Sequence, residues 1–292
     1  MRLIVAIPTT GRRAIVGPTI RAIADQTRLP DLLIVVTARE GDVDAADLRS
    51  LPFPARLERS DLGLTRQRNR ALDLIVPDDV LLFLDDDFLM APDYLAALEA
   101  LFTSRSDVVL ATGTVLKDGI IGPGIPLDEA VATVAALPPV GDPRLVPVYN
   151  GYGCNMAVRG RPVVETGLRF DVALPLYGWL EDVDFSRALA PHGALVRSDA
   201  LRGVHMGTKT GRVSGLRLGY SQVANPIYLM SKGTMRASRA AAILLRNLVR
   251  NLARALWPEP EVDRRGRLRG NLRAFADLLR GRLHPQRAAE LE

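Results

Sequence analysis

Short runs that are apolar at every position, separated by segments with helical spacing, constrain this chain most. Leu3–Ile7, Leu32–Val36, Val80–Leu84 and Val108–Ala111 show no polar alternation, so each needs cover on both faces. Between them, Ile20, Ile23, Ala24 and Thr27 mark a helix within Gly17–Thr27 that Pro30 closes. Leu64–Val76 is a second helical stretch, stopped by Pro77, and Pro92 opens a third that runs through Phe102. Arg56–Ser60 reads as a further short strand. Doubly covered strands interleaved with helices predict an α/β fold built on a mostly parallel sheet. Ligands of such sheets bind beyond the carboxyl ends of the strands. The polar clusters after Ile7, Val36 and Leu84 therefore fall on one edge.

The 292 residues are enough for one large α/β domain or two small ones. With 48% apolar and 24% charged residues, general disorder is excluded. The single cysteine, Cys154, excludes an intrachain disulfide and a cysteine-based zinc cluster, which suits a reducing compartment. No apolar run approaches the roughly 20 residues of a spanning helix. The opening run meets Pro8 after five apolar residues, too soon for the core of a secretory signal, so a cytoplasmic location is expected. Charge is uneven: residues 232–292 carry 14 Arg and Lys against 6 Asp and Glu, which leaves the remainder at −3 of the chain's +5. That argues against a body that binds nucleic acid and for a basic accessory segment.

Further along, residues 117–150 read as Gly- and Pro-rich loop with a helix near Leu127–Leu137. A helix at Leu180–Ala190 and a short strand at Ala194–Val196 follow, and 206–222 is Gly-rich, polar and basic, the composition of a mobile loop. A long helix at 234–257, a charged linker at 258–270 and a last helix at Leu272–Leu283 complete the chain. The expected division is a domain over 1–230, with halves 1–112 and 113–230, and a helical tail over 231–292.

Four segments carry chemistry. Asp85, Asp86 and Asp87 follow the apolar run directly. Three adjacent carboxylates at a buried strand end are costly without a cation among them, and an oxygen-liganded divalent ion sharing its shell with phosphates fits. The alternative is a solvated turn that caps the next helix. Glu181-Asp182 after Trp179 suits a general base whose pKa an apolar neighbour raises, or a helix start facing its dipole. Arg66, Arg68 and Arg70 lie near a helix start, where anions are favoured; Arg70 reads as solvated. His205, Lys209 and Arg212 have the composition of a diphosphate grip.

Together these residues resemble a known family. Val5-Ala6-Ile7-Pro8-Thr9-Thr10, then Ala24-Asp25-Gln26-Thr27 and Leu32–Val36, are similar to the opening of family 2 glycosyltransferases with the GT-A fold. Gly63–Asn69 resembles that family's Gly-Leu…Ala-Arg-Asn segment, Leu84–Asp87 its Asp-x-Asp motif, and Gly153–Arg159 its acceptor-side segment. Trp179–Asp182 resembles the segment that holds the catalytic Glu-Asp. The likeness covers roughly residues 3–210, with five motifs in order.

The resemblance implies a metal-dependent, inverting transfer of a sugar from a nucleotide-diphosphate donor to a saccharide or lipid-linked saccharide acceptor, in bacterial surface polysaccharide or glycolipid synthesis. It places Pro8 and Thr9 at the nucleotide base, Arg66 and Arg68 near base and ribose, and Asp85 at the ribose. Asp86, Lys209 and Arg212 join the donor side, and Asp87 and His205 hold Mn²⁺ or Mg²⁺. Asp182 is the base, with Glu181, Trp179 and Asn155 towards the acceptor. Thr37 stands where relatives carry a base-reading Asp, which leaves the nucleotide open, and the triplet leaves the Asp-x-Asp register open by one residue. The Gln-x-x-Arg-Trp motif of processive synthases is absent, so single addition is expected.

The tail adds one element. On a helical wheel Arg239, Arg246, Arg250 and Arg254 share a face, opposite Leu244, Leu245, Leu248, Val249, Leu252 and Leu256. Two readings stand: the apolar side packs on the body or on a second subunit of a homodimer, or residues 234–257 lie on an anionic membrane surface. The rival functions are an inactive nucleotide-sugar-binding or membrane scaffold and a haloacid-dehalogenase-like phosphatase. The phosphatase pattern requires Thr or Val where Leu89 stands.

Overall fold

The structure, a computed structural model, describes residues 1–138, 140–210, 213–257 and 259–292. In chain order the elements are β1 (Arg2–Thr9), α1 (Arg13–Ala22), β2 (Leu32–Thr37), α2 (Ala45–Arg49), β3 (Ala55–Arg59), α3 (Leu64–Leu72), β4 (Asp79–Leu84), β5 (Phe88–Met90) and α4 (Tyr94–Ser104). Then come β6 (Val108–Asp118), α5 (Leu127–Ala135), β7 (Leu145–Pro147), β8 (Asn155–Arg159), α6 (Gly160–Thr166), α7 (Glu181–Leu189) and β9 (Ala194–His205). The chain ends in α8 (Gly215–Lys232), α9 (Ala237–Leu256), α10 (Arg264–Leu279) and α11 (Arg287–Glu290). Two compact units emerge: one from residues 1–62, 66–169 and 188–210, the other from 63–65, 170–187 and the described residues beyond 212.

The first unit is built on one sheet with strand order β3-β2-β1-β4-β8-β6-β9-β5, and β7 added on β9. β3, β2, β1 and β4 run parallel, with Val5 in register with Leu33 and Leu82. β8 enters antiparallel between β4 and β6, whereas β6 and β9 are parallel. Leu3, Val5, Ile7, Leu33, Val35, Leu82 and Leu84 share a core with Val16, Ile20, Leu95, Leu98 and Phe102 of the covering helices. Burying both faces is why these strands read as unbroken apolar runs. Parallel order puts Thr9, Thr37 and Leu84 at the same edge, as expected.

Some elements run past their apolar signal. β1 continues through Pro8 to Thr9; its pairing with β4 ends at Ala6, so a residue without N–H is tolerated there. β6 and β9 reach Asp118 and His205, well beyond Ala111 and Val196, because they pair with each other through register shifts. Gly113 permits this: a Cβ there would overlap the Leu201 carbonyl. β5 is too short to show in the sequence and is held by β9, Phe88 opposite His205.

The second unit corrects two expectations. The stretch 206–222 is no loop beyond Ser214, because α8 starts at Gly215, and the supposed linker 258–270 is helical from Arg264. Glycines in both stretches serve close packing. A Cβ at Gly219 would overlap the Arg267 carbonyl, and one at Gly270 the Leu216 carbonyl, so α8 and α10 touch through backbone. Ser214 Oγ caps α8 and Asp263 caps α10 through the Gly266 N–H. Tyr220, Val223, Ala224, Ala274 and Ala288 form the core. Asn251 donates to Gln222 and Asn271, and Asn271 donates to the Gly219 carbonyl, which satisfies the buried amides and fixes the helix register. The expected division after residue 230 falls near the end of α8, which itself packs on α10.

Candidate active site

β4 delivers the three carboxylates, and the turn after it sends them different ways. The Asp85 N–H donates to the Cys154 carbonyl and the Phe88 N–H to the Asp85 carbonyl. Asp86 turns inward: it accepts from Thr9 Oγ1 at 2.6 Å and from Arg12 Nη1 at 2.8 Å. Burial raises its pKa to about 6 against the pull of Arg12. Asp87 is also buried; its Oδ2 accepts the Thr208 N–H at 2.8 Å and its Oδ1 lies 3.3 Å from His205 Nε2. Asp85 is the more exposed of the three, 3.4 Å from Arg68 Nη2 and 3.9 Å from His205 Nε2.

The cation that such a triplet requires is thus partly internal. Arg12, one turn residue before α1, pairs with Asp86, lies 3.6 Å from Asp87, and donates to the Thr208 and Thr210 carbonyls. Sequence reading missed it. The available signal was topological, since a basic residue just past β1 must lie on the edge where β4 ends.

Ligand atoms of Asp85, Asp87 and His205 all lie within 4.8 Å of one another. His205 closes β9, and its Nδ1 is 2.9 Å from Asp118 Oδ1 at the end of β6. Asp118 is itself fixed by the Ile120 N–H and by the Tyr152 hydroxyl. An Nδ1–H donated to Asp118 leaves the Nε2 lone pair facing the aspartates, the usual arrangement of a carboxylate behind a metal-binding histidine. Two carboxylates and one imidazole, with one carboxylate open to solvent, are a donor set that Mn²⁺ or Mg²⁺ accepts alongside phosphate oxygens.

Without an ion the cluster is an ionic one. Burial would lower the His205 pKa, but hydrogen bonds to Asp118 and Asp87 and the charges of Asp87 and Asp85 raise it to about 10. Burial acts to raise Asp87, yet His205, Arg12 and the Thr208 N–H bring it down to about 2. A histidine whose folded pKa is raised stabilises fully below its unfolded value of about 6.5 and loses that contribution as pH climbs through the folded value. The metal-free protein should therefore lose melting temperature steadily between about pH 6.5 and 10, and His205→Gln should flatten that decline. A wild-type slope unchanged by His205→Gln would show that the imidazolium is not what titrates.

The other described donor-side residues, Pro8, Thr9, Thr37, Arg66, Arg68 and Lys209, occupy the same unit. Pro8 and Thr9 close β1, and Gln67 Nε2 ties the Thr9 and Val36 carbonyls together. Thr37 closes β2 with its hydroxyl 2.8 Å from both the Arg39 carbonyl and Asp42 Oδ2. Asp42 also takes the Thr10 hydroxyl and the Gly11 N–H, so it fastens the loop after β1 to the loop after β2. Arg68 is buried; it donates to the Gly153 carbonyl and its guanidinium sits over the Phe83 ring. Arg66 is exposed, 3.7 Å from Asp61. Lys209 donates to the Gly119 and Ile120 carbonyls. Arg212 lies outside the described residues. Asn155, expected towards the acceptor, is instead fully buried: its Oδ1 accepts from Thr112 Oγ1 and the Gly113 N–H, which joins β8 to β6.

Trp179, Glu181 and Asp182 lie in the second unit, on a tight approach to α7. Leu176 and Leu180 have positive φ of 59° and 73°, flanking Gly178 at 63°. Side chains rarely accept that conformation, and such strain collects at functional loops. The Leu64 N–H donates to the Leu176 carbonyl, and Asn225 Nδ2 to the Trp179 carbonyl, which pins the segment. Glu181 is buried, whereas Asp182 is partly exposed at the first turn and accepts the Val183 N–H.

Residues 4–120 match the Glycosyl transferase family 2 model. The fold is GT-A. A mannosyltransferase from Pyrobaculum calidifontis, PcManGT, solved with GDP-Man and Mn²⁺, is 16% identical with a TM-score of 0.56 and covers 95% of this chain and 75% of its own. S. aureus TarS 1-349 with UDP-GlcNAc is 16% identical at a TM-score of 0.52, covering 89% and 77%. Glucosyl-3-phosphoglycerate synthase from Mycobacterium tuberculosis, solved with Mn²⁺, UDP and glucosyl-3-phosphoglycerate, is 18% identical at 0.51, covering 81% of each. The match to a longer S. aureus TarS chain covers only 40% of that chain. At these identities the family 2 likeness is one of fold. No curated protein sequence matches.

Proposed function

We propose that this chain is a metal-dependent inverting glycosyltransferase that moves one sugar from a nucleoside diphosphate to a hydroxyl of a saccharide or lipid-linked saccharide, on the cytoplasmic side of a bacterial cell. The observation that carries it is the Asp85, Asp87 and His205 cluster, backed by Asp118, at the carboxyl edge of β4. Solved structures of the same fold hold UDP-GlcNAc, or GDP-Man with Mn²⁺. In this reading Asp85, Asp87 and His205 hold Mn²⁺ or Mg²⁺, and Asp118 keeps the His205 ring turned towards it. The ion, when bound, neutralises the diphosphate of the leaving group. Lys209 and Arg212 add positive charge beside it, Arg66 and Arg68 serve base and ribose, and Pro8, Thr9 and Thr37 wall the base. Asp86 acts indirectly, by holding Arg12 and Thr9.

Asp182 takes the proton of the acceptor hydroxyl as that oxygen attacks the anomeric carbon, and Glu181 and Trp179 orient the acceptor. One displacement from the face opposite the diphosphate inverts the centre and needs no covalent nucleophile. The deciding experiment titrates UDP, GDP and dTDP, with and without Mn²⁺, and then follows hydrolysis of the matching nucleotide sugars. One nucleotide should bind tighter with Mn²⁺, and its sugar should be released slowly in the absence of acceptor. If no nucleotide binds under either condition, the chain is not this enzyme and the scaffold reading takes its place.

A further inference from the structure

The apolar residues of α9 do not do what an internal helix would do with them. Twenty residues make a rod of about 30 Å. Its fully buried positions are Ala240 and Asn251, with Leu244 and Leu248 half-buried beside them. Leu245, Val249, Leu252 and Leu256 recur at spacings of four, three and four, so they form a single stripe on another side. They are 55–70% exposed, and Trp257 at the helix end is 71% exposed. Isolated exposed leucines are ordinary, but a continuous stripe along about three helical turns is an interaction surface.

The neighbours of that stripe select its occupant. Arg246, Arg250 and Arg254 form a row at i+4 spacing, about 130° round the helix from the centre of the stripe, and all are exposed. The carboxylate recorded near this row is Glu259, 4.0 Å from Arg250 and 3.6 Å from Arg254, and it pairs more closely with Arg264 at 2.6 Å. α10, in the same unit, exposes Leu272 and Leu279 on a helix that also exposes Arg265, Arg269 and Arg273, with exposed Arg280 just past its end. A second copy docked antiparallel on the same stripe would bring its arginine row to the same flank as this one, like charge beside like charge. No helix among the described residues is long and apolar enough to cross a membrane.

We propose that α9 lies flat on an anionic lipid bilayer, with the Leu245–Leu256 stripe at the acyl boundary and the Arg246, Arg250 and Arg254 guanidinium groups on lipid phosphates. Arginine stems reach sideways from an apolar stripe to phosphates, and guanidinium pairs with phosphate through two parallel hydrogen bonds. Binding then requires both components, an apolar stripe and a basic row, as single weak anchors give only marginal attachment. Each arginine near such a surface contributes about fivefold in affinity, and salt screens that part alone. This inference stands apart from the transferase reading, because its test uses neither donor nor acceptor.

The test is flotation of the full chain with vesicles of phosphatidylcholine, with and without phosphatidylglycerol, at about 0.1 M and about 0.5 M salt. The wild type should float only with the anionic vesicles, be released by the higher salt, and shift its Trp257 emission to the blue, a shift that Trp257→Phe removes. Arg246→Glu with Arg250→Glu should weaken binding by at least about tenfold, and Leu245→Glu with Leu252→Glu should abolish it, both with unchanged melting temperature. The wild-type salt jump needs no variant, so a misfolded double mutant leaves the test intact. Equal flotation with neutral vesicles, none with anionic ones, or a dimer that Leu245→Glu with Leu252→Glu splits while flotation persists, each overturns the proposal.

Discussion

Asp182→Asn is expected to cut the rate of sugar transfer by about 10²–10⁴-fold, the span typical of losing a general base, while nucleotide affinity stays within about twofold. The amide keeps the shape of the carboxylate and an oxygen to accept the Val183 N–H, so the first turn of α7 is preserved. On the proposed reading, what it would lose is the capacity to take the acceptor's proton. Both kcat and kcat/KM should fall together, the signature of an interaction made in the transition state. Glu181 is the internal comparison. It is buried where Asp182 is partly exposed, so Glu181→Gln should act more on acceptor KM than on kcat. Full transfer by Asp182→Asn would remove this residue from the chemistry.

Asp87→Asn carries the second large effect. Its Oδ1 faces His205 and its Oδ2 takes the Thr208 N–H, so the carboxylate is already aimed by two neighbours. The amide supplies a weak neutral ligand in place of a charge. Mn²⁺-dependent tightening of nucleotide binding, read by calorimetry, should disappear, a larger loss than the roughly 10–100-fold expected of Asp118→Asn, which acts only through the His205 ring. Asp118→Asn should therefore weaken Mn²⁺ binding yet leave it measurable. Equal loss from both variants would mean that Asp118 itself contacts the ion, and no loss from Asp87→Asn would move the cation site elsewhere.

Much of the fold and part of the candidate site could be read without coordinates, for identifiable reasons. Strands covered on both faces leave unbroken apolar runs, so β1, β2 and β4 and their common edge were visible. Long-range pairing leaves no such trace. β6 and β9 owe their length to each other, which is why Asp118 at the end of β6 went unnoticed although it backs His205. Composition misled twice: Gly219 lies in a Gly-rich stretch read as loop and Gly270 closes a stretch read as a charged linker, yet both let two helix backbones touch. Asn155 carried a family likeness in its neighbourhood, yet its own amide closes the sheet. The tail's amphipathic pattern was legible, but which apolar residues turn inward was not. Leu244 packs near Tyr220 and Val223, whereas Leu245, one position on, faces out.

Arg12 gives the acidic edge a permanent occupant. Its guanidinium lies against two of the three aspartates and fastens the carbonyls of Thr208 and Thr210, so the strand end and the segment after β9 are drawn together by the polypeptide itself. A metal arriving there would find its berth already assembled. Loading would recruit chemistry to a finished scaffold, and the protein could wait between turnovers, empty of ion, without coming apart.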